Sequence, residues 1–270
     1  MGLQIQQISD YGTTNPVVAR LSIQTKDLLQ FYKLTKDDER QIFRIMFADV
    51  QPKIMTCFRI KERIVQEVHA EQKKIDEGRM EIQSGGRAYT LPSILDLRQD
   101  AEIFLYNGKS ALRDFGNTFR VLFGKDFKNE ARYDRILDWA KKKFGSEDVI
   151  TKMLLDDQSW LQKIVKMRNA IEHPGGYSGI LHIANFTAKE DGKKILVTEP
   201  VWHLNSEPEA PIAYAMEVLV GNLVGFCEEM LILCLQKVGP KFGSQVAIAE
   251  IPEAERDPSC PIRFRAVISR

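Results

Sequence analysis

Cysteine and histidine are scarce in this chain, at four residues each among 270. Cys57, Cys227, Cys234 and Cys260 form no CxxC pair and have no histidine at ligand spacing. A zinc ribbon or a disulfide framework is therefore not expected, and buried free thiols are. Charge of one sign is also lacking. Thirty-eight Lys and Arg face 37 Asp and Glu, for a net charge of +1. No global field draws the chain to nucleic acid, although a local basic cleft is invisible in such a sum. No GxxxxGK[ST], GxSxG or HExxH occurs, which removes support for P-loop, α/β-hydrolase and zincin chemistry. A long charge-free apolar run is missing too. The most apolar stretch, 213–235, carries Glu217, Asn222, Glu228 and Glu229. It reads as a core helix rather than a bilayer span. Residues 1–10 contain no apolar signal segment, and the expectation is a cytoplasmic protein with no membrane partner. Nothing in the composition calls for a cofactor or a metal.

What is present is helical periodicity. The hydrophobic fraction of 44% and charged fraction of 28% suit a globular protein. Residues 1–15 read as a loose arm. Residues 17–74 read as helix, broken near Lys36-Asp37-Asp38 and near Pro52, with Ile42, Ile45, Met46, Ile54, Phe58, Ile64, Val65 and Val68 at helical steps. The charged stretch 61–79 reads as a solvated helix end or a protruding arm, and Ser84-Gly85-Gly86-Arg87 as a turn. Ser93, with Asp96 three residues on, is expected to cap a helix over 93–123 that stops at Gly124. Asn107-Gly108 is its expected interruption. A helix is predicted over 133–144, and another over 145–172 with a kink near Asp156-Asp157. Pro174-Gly175-Gly176 should end the latter. Next, Ile180-Leu181-His182-Ile183 and Lys194-Ile195-Leu196-Val197-Thr198 flank Asp191-Gly192, which predicts a hairpin. Residues 200–211 read as loop and 212–238 as a long apolar helix. Two β-prone pieces, 245–251 and 262–268, follow.

The one constellation with chemical content closes the helix 160–172. Trp160, Leu161, Ile164, Val165, Met167 and Ile171 make an apolar stripe, and Arg168 projects inside it. A guanidinium keeps its charge at neutral pH, so Arg168 needs an acidic partner or a polar cleft. Pro174 disfavours helical geometry at His173, which frees that imidazole to turn toward Arg168.

Arg168-Asn169-Ala170-Ile171-Glu172-His173 resembles the Rx4–6H signature of the HEPN family, including the Asn directly after the Arg. The resemblance covers roughly residues 91–238. It implies a mainly α fold: a HEPN-like helical bundle at 91–238 with a hairpin insert at about 177–200. An N-terminal helical extension (1–90) and a C-terminal tail (239–270) with β character would flank it. HEPN proteins are typically four- or five-helix bundles that pair, so that two motifs share one cleft. The implied activity is a metal-independent endoribonuclease acting on RNA, in stress response, toxin–antitoxin or phage-defence settings. A ribose 2′-OH attacks the adjacent phosphate, leaving a 2′,3′-cyclic phosphate and a 5′-OH. Carried over, His173 is the general acid or base, Arg168 holds the scissile phosphate, and Asn169 orients either. The implied partners are RNA, a second copy of the chain, and an antitoxin or other protein. Glu172 is placed to pair with Arg168 at i, i+4 and to compete with phosphate. The other reading is therefore a catalytically silent HEPN bundle that binds RNA, nucleotide or a protein.

Lys163 and Lys166 are candidates for tracking an RNA backbone, and Tyr177 for reaching into the cleft. Ordinary solvated lysines are the simpler reading. His69 lies in a charged helix and reads as solvated. His182 and His203 are candidates for stacking on a base.

Overall fold

The computed structural model describes residues 11–78, 90–128, 130, 132–191, 194–241 and 246–268. It is mainly helical, with a small antiparallel β insertion and N-terminal helices. In chain order the helices are α1 (Pro16–Val18), α2 (Thr25–Leu29), α3 (Lys36–Arg44), α4 (Gln51–Asp76), α5 (Leu97–Phe115) and α6 (Asn117–Phe123). Then come α7 (Tyr133–Phe144), α8 (Val149–Asp156), α9 (Gln158–Glu172) and α10 (Ile212–Val238). The strands are β1 (Leu181–Ala184), β2 (Thr187–Asp191), β3 (Lys194–Thr198), β4 (Val201–Leu204), β5 (Ala210–Pro211), β6 (Val246–Glu250) and β7 (Phe264–Ile268). The expected turn at 84–87 and the arm at 1–10 lie outside the described residues.

Two compact units emerge. The first is drawn from the described parts of Met1–Pro52, Ala111–Leu155 and Val224–Arg270. Asn15 caps α1 by accepting the Val17 N–H at 2.9 Å, with Pro16 at the first position, where its missing N–H costs nothing. Thr35 caps α3 by accepting from Asp38 N at 3.1 Å, ahead of the acidic first turn Asp37-Asp38-Glu39. The expected break at Pro52 is instead a π-wound stretch, Ile45–Val50, in which Gln51 N–H reaches back to Met46 O. Proline removes one helical N–H, and the widened turn lets the helix absorb that loss without stopping. An aromatic cluster of Phe119, Phe123, Phe127, Trp139 and Phe144 has ring centroids 5.3–6.5 Å apart. Gly124, at φ 67°, ends α6 as its spacing predicted.

Glu228 is fully buried in this unit. It is held by Arg20, by Gln24 Nε2 at 3.1 Å and by Arg263 at 3.2 Å. The oxygen of Gln24 accepts the N–H groups of Arg263 and Phe264, each at 2.7 Å, and so ties down the strand pair β6–β7. Among the described residues, Ile212–Val238 is the one helix long and apolar enough to cross a membrane, and 67% of its most apolar window is buried in the protein. The buried Glu228 explains why that helix carries a charge: it is satisfied inside the protein.

The second unit comprises the described parts of Lys53–Ser110 and Asp156–Leu223. Its core is built from Ile54, Ile60 and Ile64 of α4, Phe104 and Leu105 of α5, Leu161, Ile164 and Met167 of α9, and Trp202 of β4. Ser93 does not cap α5. It accepts from Asn185 Nδ2 at 3.1 Å, while Asn185 also brackets the backbone of Ile94. The helix starts at Leu97, after Asp96 in the left-handed region at φ 57°. Nor does Asn107-Gly108 interrupt α5. The break falls at Gly116, between α5 and α6. Gly108 serves packing: a Cβ there would stand 2.5 Å from Ile164 Cδ1. The missing side chain lets the α5 backbone approach α9 closely.

The β insertion pairs differently from expectation. Lys194–Thr198 forms a hairpin with Thr187–Asp191, and its turn lies outside the described residues. Leu181–Ala184 pairs instead with Val201–Leu204, in register Leu181↔Leu204 through Ala184↔Val201, and β5 completes the order β1-β4-β5. The stretch 200–211, expected as loop, thus supplies two strands. Burial of Trp202 and Leu204 against the helices decides this, with Phe104 meeting Trp202 edge-on at 6.3 Å.

Candidate functional site

The helix α9 runs to Glu172 and is capped by His173, whose N–H still reaches Asn169 O at 2.9 Å. At φ −134°, ψ 73°, His173 has already left helical geometry, as a residue before proline must. The loop 174–179 then closes on itself: Gly175 N–H donates to Gly179 O, and Gly176 N–H to His173 O, both at 2.9 Å. Tyr177 stands at its tip, fully exposed.

Arg168 lies mostly inside, its side chain 17% exposed, as its place in the apolar stripe required. It forms an ion pair with Glu172, one turn on, whose side chain is 45% exposed. Its guanidinium also stacks over the ring of Tyr106, 5.4 Å from the centroid. Together they line an open groove of about 280 Å³ between α5 and α9, formed by Gln99, Glu102, Ile103, Tyr106, Arg168, Ile171 and Glu172. The lining is largely apolar, and its charges are two carboxylates against one guanidinium. Glu102 is engaged by Arg98 at 3.2 Å.

Asn169 does not line that groove. Its oxygen accepts from Lys109 Nζ at 2.6 Å, on the next turn of α5 beyond Tyr106. Lys109 is a site residue that the sequence did not single out; its partner is 60 positions away and no local pattern announces it. The His173 side chain is exposed and makes no hydrogen bond to another described residue. One helix end therefore presents three polar groups in different states: a guanidinium held by a carboxylate, an amide held by an ammonium, and an imidazole open to solvent.

The remaining candidates are scattered. Lys163 pairs with Glu207 at 3.0 Å, which fits a surface lysine. Lys166 is exposed. His69 is exposed on α4. His182 and His203 face one another across β1 and β4, with parallel rings 4.6 Å apart. Among the described residues no group of three or more His, Cys, Asp or Glu is arranged to hold a metal ion. No protein-family model, no characterised protein and no solved structure matches this chain.

Proposed function

We propose that the end of α9 is the RNA-processing site of a HEPN-like bundle, a metal-independent endoribonuclease that works as a pair of chains. The observation that carries this reading is the state of the three motif side chains. His173 is solvent-open and unpartnered among the described residues, one turn beyond Asn169, and Arg168 lies at the edge of an open groove. An imidazole with a free nitrogen suits proton transfer at neutral pH. A guanidinium fork suits phosphate.

The Arg168–Glu172 pair does not by itself defeat this. Arg168 is largely buried, but Glu172 is nearly half exposed, so the pair is open to solvent on the carboxylate side. A phosphate offers the guanidinium the same kind of charge-assisted contact as the carboxylate and can exchange with it from that open side. Ile103 and Tyr106 of the groove wall and Tyr177 and Ile180 of the adjacent loop are exposed apolar residues, a surface consistent with pairing of two copies. In such a pair one His173 would take the 2′-OH proton and the other would protonate the leaving oxygen.

A second reading has an observation of its own. The carboxylates of Glu172 and Glu102 outnumber Arg168 in the groove, and Lys109 engages Asn169. Those features suit a silent bundle that binds without cutting.

The test uses tag-free protein with single-stranded RNA in EDTA. Cleavage by the parent, with cyclic-phosphate ends, and none by His173→Ala or Arg168→Ala is the expected result. RNA binding without cleavage selects the silent bundle. Equal products from all three proteins mean a contaminating nuclease and remove the proposal.

A further inference from the structure

We propose that His182 and His203 form a two-histidine site for a first-row transition-metal dication, zinc or copper. The site is independent of the ribonuclease reading.

Both residues sit at one register position of the antiparallel pair β1–β4. Their neighbours Leu181, Trp202 and Leu204 are buried, so the alternation of a strand sends the two imidazoles to the opposite, outward face. The rings lie 4.6 Å apart and within 11° of parallel.

The tautomer of His203 is fixed by its partner. Its Nδ1 lies 2.7 Å from Asn205 O. A carbonyl oxygen only accepts, so Nδ1 carries the proton, and in the neutral ring Nε2 keeps its lone pair. Metal-binding histidines almost always have this arrangement, with the far nitrogen donating to a carbonyl or carboxylate that orients the ring. Imidazole lone pairs lie in the ring plane, so the two rings must rotate out of their stack for one nitrogen of each to reach about 2.0–2.1 Å from a shared ion, a change of side-chain torsion that the outward, exposed face allows. Imidazole pairs suit zinc and copper rather than magnesium or calcium. No third protein ligand completes the group among the described residues, so water fills the remaining positions.

The position gives the ion something to act on. Asn205, in the left-handed region at φ 53°, accepts the Ile180 N–H at 2.8 Å and donates to Ser178 O at 3.4 Å. Those two residues close the loop that begins at His173. An ion that cross-links β1 to β4 and seats His203 against Asn205 therefore steadies this loop.

Calorimetric titration of the tag-free full chain, stripped with EDTA, with Zn²⁺ alone and then Cu²⁺ alone tests the site. One ion per chain is expected. Affinity should fall at least about tenfold in His182→Gln and in His203→Gln and hold in His69→Gln. In the parent, Zn²⁺ should shift the imidazole NMR signals of His182 and His203 and leave that of His69, a readout that needs no variant to fold. Absence of saturable binding, or binding that survives either substitution, overturns the site. Hydrogen exchange of the Ile180 amide should slow with Zn²⁺; an unchanged rate overturns the link to the loop.

Discussion

Gly108 marks the close approach of α5 to Ile164 of α9 beside the candidate site, and its role can be measured with two substitutions. A methyl group at Gly108 would meet Ile164 Cδ1 at 2.5 Å, well inside contact distance. The other neighbours, Leu223 Cδ1 at 3.5 Å and Ile164 Cγ1 at 3.6 Å, are in ordinary van der Waals range. The conflict is thus with a single methyl carbon on a fully buried side chain. Gly108→Ala gains about 1 kcal/mol in helix propensity and pays about 1–3 kcal/mol of overpacking. The net is roughly 0–2 kcal/mol of destabilisation. Ile164→Val deletes the offending carbon and alone leaves a small void, costing about 0.5–1.5 kcal/mol. In the double variant the alanine methyl occupies the vacated space at normal distances, and the helix gain is kept. Its stability should lie close to that of the parent, which implies a favourable coupling of about 0.5–3.5 kcal/mol. Urea unfolding of the four proteins, with unchanged m-values, gives that number. Additivity within about 0.5 kcal/mol would refute the close approach of α5 and α9 at this point. Because Tyr106 and Lys109 flank Gly108, the single alanine variant should also weaken RNA binding, and Ile164→Val should restore it.

Three further outcomes are expected. Glu172→Gln removes the carboxylate beside the largely buried Arg168; a unit charge about 4 Å from a phosphate in water is worth about 1 kcal/mol, so on the proposed reading single-stranded RNA should bind roughly fivefold tighter by anisotropy, while stability falls because the guanidinium loses its partner. Weaker binding would contradict the phosphate role of Arg168. Burial pushes the thiols of Cys57, Cys227 and Cys234 far up, whereas Cys260 is raised by partial burial and by Asp257 and Asp27 yet stays accessible. Native protein should therefore show one slow-reacting thiol toward a disulfide reagent and unfolded protein four, and a second native thiol would count against the packing. The Glu39 carboxyl is held below its ordinary value of 4.5, chiefly by the hydrogen bond from Lys241, which outweighs desolvation. A lowered folded value means that this stabilisation is complete above 4.5 and lost as pH falls through the folded value, so Lys241→Met should flatten the acid limb of Tm against pH.

Local grammar and distant partners divide what the sequence disclosed from what it did not. Gly124 and Pro174 stop helices through their own backbone chemistry, and both were legible. Ser93, Gly108 and Pro52 carry equally strong local signals that pointed wrongly, the first two because a remote partner overrides them and the third because the preceding turn of helix widens. Asn185 takes Ser93, Ile164 makes use of the bareness of Gly108, and a π-wound turn accommodates Pro52. The hairpin failed for the same reason: Lys194–Thr198 does pair in a hairpin, but with Thr187–Asp191, and the strand partner of Ile180-Leu181-His182-Ile183 was chosen by the burial of Trp202 and Leu204. The site shows both halves. Spacing alone puts Arg168, Asn169 and His173 on one helix end and frees His173 through Pro174. What the guanidinium and the amide face is decided by α5, which offers Tyr106 and Lys109 and packs against Ile164 of α9 at Gly108, where a side chain would collide. The motif thus supplies the chemical groups, and α5, distant in sequence, sets the surroundings in which they act.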